Sequence, residues 1–374
     1  MSNGRLFLDI HAIQVLPPSN VNRDDTGSPK TARYGGVVRA RVSSQSWKKV
    51  MRDYFCENGQ NFQMGIRTNK ILNHIIKKIL DNGYCDKDEA REKAIRVLEN
   101  AGYKYNSQED KLEALYFFSN SQIEKLAEAT TIEKFLQKVT GPAQKKMYKE
   151  LASFLKEEVL EIDIALFGRM LANNPELNED ASSQVAHAIS THEVQTEYDY
   201  FTAGDDLADQ GNAGAAMIET NEFNSSILYR YANVAVHEFL KQMHGDKDLT
   251  ARALRLYIEA FANSMPTGKS NSYANQTLPQ ALLIELRDDR PISLVSAYEN
   301  PVKAKNGYTE ESVKRLFVEA NRANKFVHKP IASFCLLAND AWYPAEAENA
   351  FEGVKEDGVN SLLDDFSKEL IKIM

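Results

Sequence analysis

Arginines, lysines and small polar residues crowd one stretch of this chain in a pattern suited to gripping phosphate. Residues 22–52 hold Arg23, Lys30, Arg33, Arg39, Arg41, Lys48, Lys49 and Arg52 against Asp24 and Asp25 alone, a net +6. VVRARV at 37–42 alternates apolar and basic residues, so as a strand it carries Arg39 and Arg41 outward on one face. Ser43, Ser44, Gln45 and Ser46 follow directly and suit a helix N-terminus near Gln45 or Ser46. Hydroxyls, a side-chain amide and backbone N–H groups there can meet an anion. Lys48, Lys49 and Arg52 continue the positive surface one turn later, and Arg23 approaches from the preceding loop. Further along, Tyr198, Tyr200 and Phe201 lie together beside Thr202. Aromatic rings next to a charged groove stack on unpaired bases, although the same residues also serve as ordinary apolar strand positions. Gly268-Lys269-Ser270 offers backbone N–H groups and one lysine to a single phosphate.

Signals for catalysis are weaker. His187 and His192 are five apart, which on a helix turns them well away from each other and fails the i,i+4 spacing of a helical zinc pair. No GxSxG nucleophile elbow occurs. The Gly268-Lys269-Ser270 run lacks the upstream glycine of a phosphate-binding loop, position 263 being Asn263. Asp24 and Asp25 are adjacent carboxylates that can hold Mg²⁺ beside a scissile phosphate, which makes a metal-dependent ribonuclease the alternative reading. They equally suit a turn whose aspartates bond their own backbone. No metal, cofactor or catalytic group is expected on the leading reading.

The elements that position these residues read as an α+β fold. Residues 5–16 form a buried strand, 17–36 a long Pro- and Gly-rich loop, and 37–42 a second strand. Amphipathic helices are expected at 68–82, 86–101, 121–129, 132–139 and 143–160, and again at 181–192, 247–264 and 310–323. Strands are expected near 193–202, from about 220 to 234, and at 281–286. Small residues at 208–219 predict a mobile hairpin tip. Lys134, Lys138, Lys145, Lys146 and Lys149 fall in a stretch without acids, which also describes a solvated helix face. The whole chain of 374 residues carries a net charge of −8, and residues 340–374 alone carry −6, so charge is polarised. Cys56, Cys85 and Cys335 are odd in number and widely spaced, which fits a reducing cytoplasm without disulfides or a cysteine zinc site. No run of about eighteen apolar residues is present to span a membrane, and the first residues read as a strand rather than a secretory leader.

Five ordered segments carry a family resemblance: NRDD at 22–25, YGGVVRARVSSQSWKK at 34–49, DIALFGRM at 163–170, HAISTHEVQTEYDYFTAGDDL at 187–207 and EFNSSILYRYANV at 222–234. PTGKSNSYA at 266–274 adds to them. Together they resemble the backbone subunit, of the CasC type, of the type I-E CRISPR Cascade complex.

The resemblance implies a palm of RNA-recognition-motif or ferredoxin-like type, in three parts at 1–66, 161–192 and 234–374. It implies a helical fingers insertion at 67–160 and a β-hairpin thumb at 193–233. It implies a non-catalytic subunit that polymerises head to tail along crRNA, with other Cascade subunits and target DNA as partners. Arg23, Arg41, Ser43, Gln45, Lys48 and Arg52 would hold the guide's backbone, with Asn22 in the same NRDD segment. Arg169 and Met170, after Gly168, would lie against the RNA, Met170 as a wedge. Tyr200, Phe201 and Thr202 would be the thumb's contribution. Lys138, Lys145, Lys146 and Lys149 match by region alone the fingers lysines that meet target DNA. Val37 and Val38 depart from the pattern, since relatives often carry basic residues after the Gly-Gly pair.

Overall fold

The computed structural model describes residues 4–156, 160–203, 217–303, 305–343 and 353–374. The chain divides into two compact units, one of residues 1–54, 184–237 and 251–374, the other of residues 55–183 and 238–250.

Among the described residues, the first unit is mixed α/β and built on a ten-stranded sheet. Numbered along the chain, its strands are β1 (Phe7–Ser19), β2 (Thr31–Tyr34), β3 (Val37–Val42), β4 (Ser183–Val185), β5 (Ala188–Ser190), β6 (Glu197–Ala203), β7 (Met217–Ala235), β8 (Pro279–Arg287), β9 (Ala332–Leu337) and β10 (Val354–Lys355). They run across the sheet as β10-β9-β8-β1-β7-β5-β3-β2, and β4 and β6 each pair with β7. β1 is antiparallel to both neighbours, with Ile10 opposite Ala232 on β7 and Ile284 on β8.

Both faces of β1 are covered, which explains its nearly continuous burial. On one face Ile13, Tyr229, Leu283 and Cys335 pack with Val313, Leu316 and Phe317 of the helix Thr309–Ala323. On the other, Leu16, Ala40, Val42 and Leu228 pack with Trp47 and Val50 of helix α1 (Ser44–Asn58). The first face also buries polar side chains: Asp9, His11, Glu285 and Arg287 are at most 5% exposed. Burial pushes the Asp9 and Glu285 carboxyls up to about 7 each and pulls the His11 imidazole down to about 3.

Two expectations are corrected here. The helix expected at 181–192 is instead β4 and β5, because β5 finds backbone partners on both sides: Ile189 stands opposite Tyr229 on β7 and Arg41 on β3. The loop expected at 17–36 is shorter, because β1 continues to Ser19 and Thr31–Tyr34 pairs with β3. The expected mobile tip at 208–219 falls mainly on 204–216, which lie outside the described residues.

The second unit is mostly helical: α2 (Leu72–Asp81), α3 (Lys87–Asn100), α4 (Asn120–Ala129), α5 (Glu133–Leu136), α6 (Pro142–Leu155) and α7 (Ile162–Phe167). Ile75, Ile79, Val97, Leu98, Leu126, Phe135 and Leu151 share its core. Local chemistry sets the starts. The Asp86 carboxylate accepts the Asp88 and Glu89 amides at 3.0 Å each to open α3, and Ser119 Oγ accepts the Gln122 amide at 2.8 Å to open α4. Two short strand pairs, the long-range pair Ile66–Thr68 with Tyr116–Phe118 and the hairpin Tyr105–Asn106 with Lys111–Leu112, were not legible between the helices.

Candidate nucleic-acid interface

The β2–β3 hairpin turns on Gly35 and Gly36, at φ of 59° and 80°. Two positive φ values in a two-residue turn match the twist of the flanking strands and call for glycine. A Cβ on Gly35 would also come within 1.7 Å of the Glu299 carbonyl oxygen. The tight turn sets Arg39 and Arg41 on one face of β3, as alternation predicts, but their fates differ.

Arg39 is fully buried. Its guanidinium donates to the carbonyls of Tyr34 (3.1 Å), Ser190 (2.8 Å) and Tyr298 (2.7 Å). The expectation of an outward phosphate contact is corrected: segment 295–299 roofs the strand at this point. Arg41, two residues on, clears that roof and is half-buried. Its Nε donates to Thr31 O at 3.1 Å, and its Nη1 lies 3.1 Å from His187 Nδ1.

The loop after β1 is pinned to the junction of β3 and α1. Asn20 Nδ2 donates to Gly27 O (2.9 Å) and to Glu222 O (2.8 Å). Asn22 Oδ1 accepts the Ser43 amide at 2.8 Å, so that amide and the buried Ser43 face the loop. The Lys30 amide donates to Asn22 O and the Arg41 amide to Lys30 O, each at 2.9 Å. Arg23 is left exposed on this braced loop. Asp24 Oδ1 accepts from the Thr26 hydroxyl (2.7 Å), the Thr26 amide (2.9 Å) and the Ser28 amide (3.0 Å). These bonds, the Thr26 hydroxyl first, hold its carboxyl below the usual range. The geometry is that of a self-bonded turn. Asp25 is exposed beside it.

Helix α1 begins at Ser44, and Trp47, Val50 and Met51 face inward. Gln45 and Lys49 are exposed; Ser44, Ser46, Lys48 and Arg52 are half-exposed. Lys49 pairs with Asp53 at 2.7 Å, a solvent-exposed pair of small energetic weight. Burial pulls the Lys48 pKa below its ordinary value, and a phosphate beside it would oppose that shift. The helix is held down by Arg230, whose guanidinium lies 3.7 Å from the Trp47 ring centroid and 4.3 Å from that of Phe261, and donates to Phe261 O at 2.6 Å.

Gly268 brings a second loop to the same place. A Cβ there would lie 2.3 Å from Val21 O, so only glycine permits the approach. Lys269 follows in a left-handed conformation, its ammonium bonded to Asn221 on β7. Gly268→Ala is expected to destabilise the chain by about 1–3 kcal/mol through this overpacking. A thermal melt unchanged from wild type would contradict the close approach.

In the β6–β7 arm, Tyr200 stands opposite Thr220 and Phe201 opposite Glu219. Alternation separates the aromatics that looked adjacent in sequence. Tyr198 and Tyr200, 67% and 64% exposed, share one face with exposed Thr202, while half-buried Phe201 points to the other. The exposed aromatic face of the arm is therefore Tyr198 with Tyr200.

In the second unit, Gly168 ends α7 at φ 79°. Arg169 is corrected to an inward residue: its Nε donates to Leu177 O (3.0 Å), Nη1 to Gln122 Oε1 (3.1 Å), and Glu179 lies 3.8 Å away. Met170 is 79% exposed. Lys138, Lys145, Lys146 and Lys149 are all exposed. Lys146 lies 3.8 Å from Glu150 and Lys149 3.8 Å from Glu176. Lys145 and Lys149 line a groove of about 700 Å³ with Tyr148 and Asn173.

The first unit thus gathers Asn22, Arg23, Arg41, Ser43, Ser44, Gln45, Ser46, Lys48, Lys49, Arg52, Gly268 and Lys269 around two braced loops and a helix start. Gly168, Arg169, Met170 and the four lysines belong to the second unit. Sequence reasoning missed Asn20 and Asn221, whose bonds are long-range, and set His187 aside when it stands beside Arg41.

A family model described as "CT1975-like protein" matches residues 8–364. Among solved structures, a chain of one described as "CRISPR RNA-guided surveillance complex, pre-nicking" is 31% identical, with a TM-score of 0.82, covering 97% of this chain and 100% of that one. A chain of another, described as "CRISPR RNA-guided surveillance complex", is 26% identical, with a TM-score of 0.64, covering 97% and 99%. A search of curated proteins returned no match.

Proposed function

The chain belongs to the CT1975-like protein family, and on that premise we propose that it is a non-catalytic guide-RNA-binding subunit of a CRISPR surveillance complex of the type I-E Cascade kind. One observation carries the reading: in a chain of net charge −8, Arg23, Arg41, Lys48, Lys49 and Arg52 gather at one helix start, on loops braced by Asn20, Asn22 and Gly268. Such a surface holds a phosphate backbone without reading sequence, which suits a protein whose specificity is delegated to base pairing.

In this reading the sheet unit is a palm of RNA-recognition-motif type, the helical insertion is the fingers and the β6–β7 arm is the thumb. Copies stack head to tail along crRNA, a heterologous contact that does not close and so propagates as a helix. Met170 and the tyrosine face of the arm meet displaced or unpaired bases, and the fingers lysines meet target DNA. Asp24 supports its own loop and does no chemistry. A cytoplasmic setting follows from these partners; among the described residues, no helix is long and apolar enough to cross a membrane.

Co-expression with a repeat-spacer RNA and partner subunits tests this. A large particle holding one discrete RNA and several copies of this chain is expected, and target RNA paired to that guide should survive Mg²⁺ intact. An RNA-free monomer would overturn the scaffold reading. Regular cuts abolished by Asp24→Ala would establish the ribonuclease alternative instead.

A further inference from the structure

The polar cluster buried beneath segment 292–294 plays no part in the cationic face. Three adjacent strands build it. Asp9 and His11 project from one side of β1, and Glu285 stands directly opposite Asp9 on β8. Tyr231 stands opposite His11 on β7, and Tyr229 is one alternation further. Asp9 and His11 are fully buried and Glu285 is 5% exposed. One donor atom from each of Asp9, His11 and Glu285 lies within 4.8 Å of the other two.

Neighbours hold these groups from outside. Asp9 accepts from the Tyr231 hydroxyl (2.8 Å) and the Ile292 amide (2.9 Å). His11 Nδ1 lies 2.9 Å from the Tyr229 hydroxyl, which also accepts the Leu294 amide at 2.8 Å. Arg287 reaches Glu285 Oε2 and Asp289 Oδ1, each at 3.3 Å. His11 Nε2, in contrast, is buried without a hydrogen-bond partner. Leaving it so costs about 1–3 kcal/mol. Asp9, Glu285 and Asp289 also set three carboxyls around one guanidinium, so ionising all three calls for further positive charge.

We propose that Asp9, His11 and Glu285 bind a divalent transition-metal ion, Zn²⁺ or Mn²⁺ in kind, as a structural clasp between β1 and β8. One imidazole nitrogen with two carboxylates suits a transition-metal ion that accepts mixed nitrogen and oxygen ligands, and does not match the all-oxygen preference of Ca²⁺ or Mg²⁺. Two positive charges added to Arg287 balance the three carboxylates. The outer partners are of the right type: a ligating histidine is fixed through its other ring nitrogen, here by Tyr229, and a ligating carboxylate by a further donor, here Tyr231. Burial means that the ion enters as the chain folds. The clasp is independent of RNA binding and stands or falls separately from it.

The test uses the full chain refolded with Co²⁺ as a visible probe, and metal content measured after expression with Zn²⁺ or Mn²⁺. Wild type should retain about one ion per chain, show a cobalt ligand-field band and melt higher when loaded. His11→Gln should lose the band and most of the metal, and Tyr229→Phe should weaken metal affinity on the order of tenfold. Wild type without a cobalt band, or with no more metal than His11→Gln, overturns the proposal. The wild-type spectrum decides the matter even where a variant fails to fold.

Discussion

Arg39→Ala is expected to cost the fold about 3–5 kcal/mol, whereas Arg41→Ala, two residues along the same strand, should cost under about 1 kcal/mol. The Arg39 guanidinium satisfies the carbonyls of Tyr34, Ser190 and Tyr298, which come from three separate segments. Truncation leaves those acceptors buried and opens a cavity the size of a long side chain. Arg41 donates from a half-exposed position, where water replaces what alanine removes. RNA binding should invert the ranking among folded chains. On the proposed function Arg41→Ala would remove a phosphate contact and lower the slope of log affinity against log salt by about 0.7. Urea unfolding of both variants, read beside RNA titrations at several salt concentrations, checks the pair. Equal stability losses would place Arg39 at the surface and refute the structural role assigned to it.

The triple substitution of Arg23, Lys48 and Arg52 by glutamine should weaken binding of single-stranded RNA about 100-fold near physiological salt, with the salt slope falling by about 2. Glutamine keeps much of each stem's packing while removing charge, so the melt should stay near wild type. All three side chains come from segments held independently of them: Arg23 by the bonds of Asn20 and Asn22, and α1 by Arg230 on Trp47. The loss should be the same for unrelated RNA sequences, because phosphate contacts carry no base information. A loss confined to particular sequences would mean that these residues read bases, and the proposed scaffold role would fail.

Much of the local structure was legible in the sequence because its causes are local. The strand expected at 5–16 is β1, VVRARV is β3, and the expected helices at 86–101, 121–129, 247–264 and 310–323 differ from those observed by a residue or two at their ends. Periodicity and caps, such as Asp86 and Ser119, mark those ends. Three of the errors share one physical origin, which is dependence on distant chain. Whether Arg39 faces water is decided by a carbonyl 259 residues away. The stretch at 181–192 becomes β5 because β3 and β7 offer ladder partners on both sides. Arg169 turns inward because Gln122 and Leu177 provide acceptors. The Asp9, His11 and Glu285 cluster joins opposite ends of the chain, so no short motif announces it.

β7 is one unbroken strand from Met217 to Ala235, roughly 60 Å long at strand rise. Its residues 224–235 pair with β1 in the middle of the sheet, and residues 217–223 pair with β6 in the arm. The arm is therefore a cantilever whose root is embedded in the core. The strand itself continues from root to arm, across from the irregularity between Leu16 and Ser19 of β1, so a sideways load on Tyr198 or Tyr200 becomes a bending moment on the central ladder and on Arg230, which anchors that ladder to α1. Stiffness at the root narrows the angles the arm can take. Were copies to stack head to tail as proposed, small angular errors would accumulate from one copy to the next, and a rigid root would set how far a regular helical pitch persists.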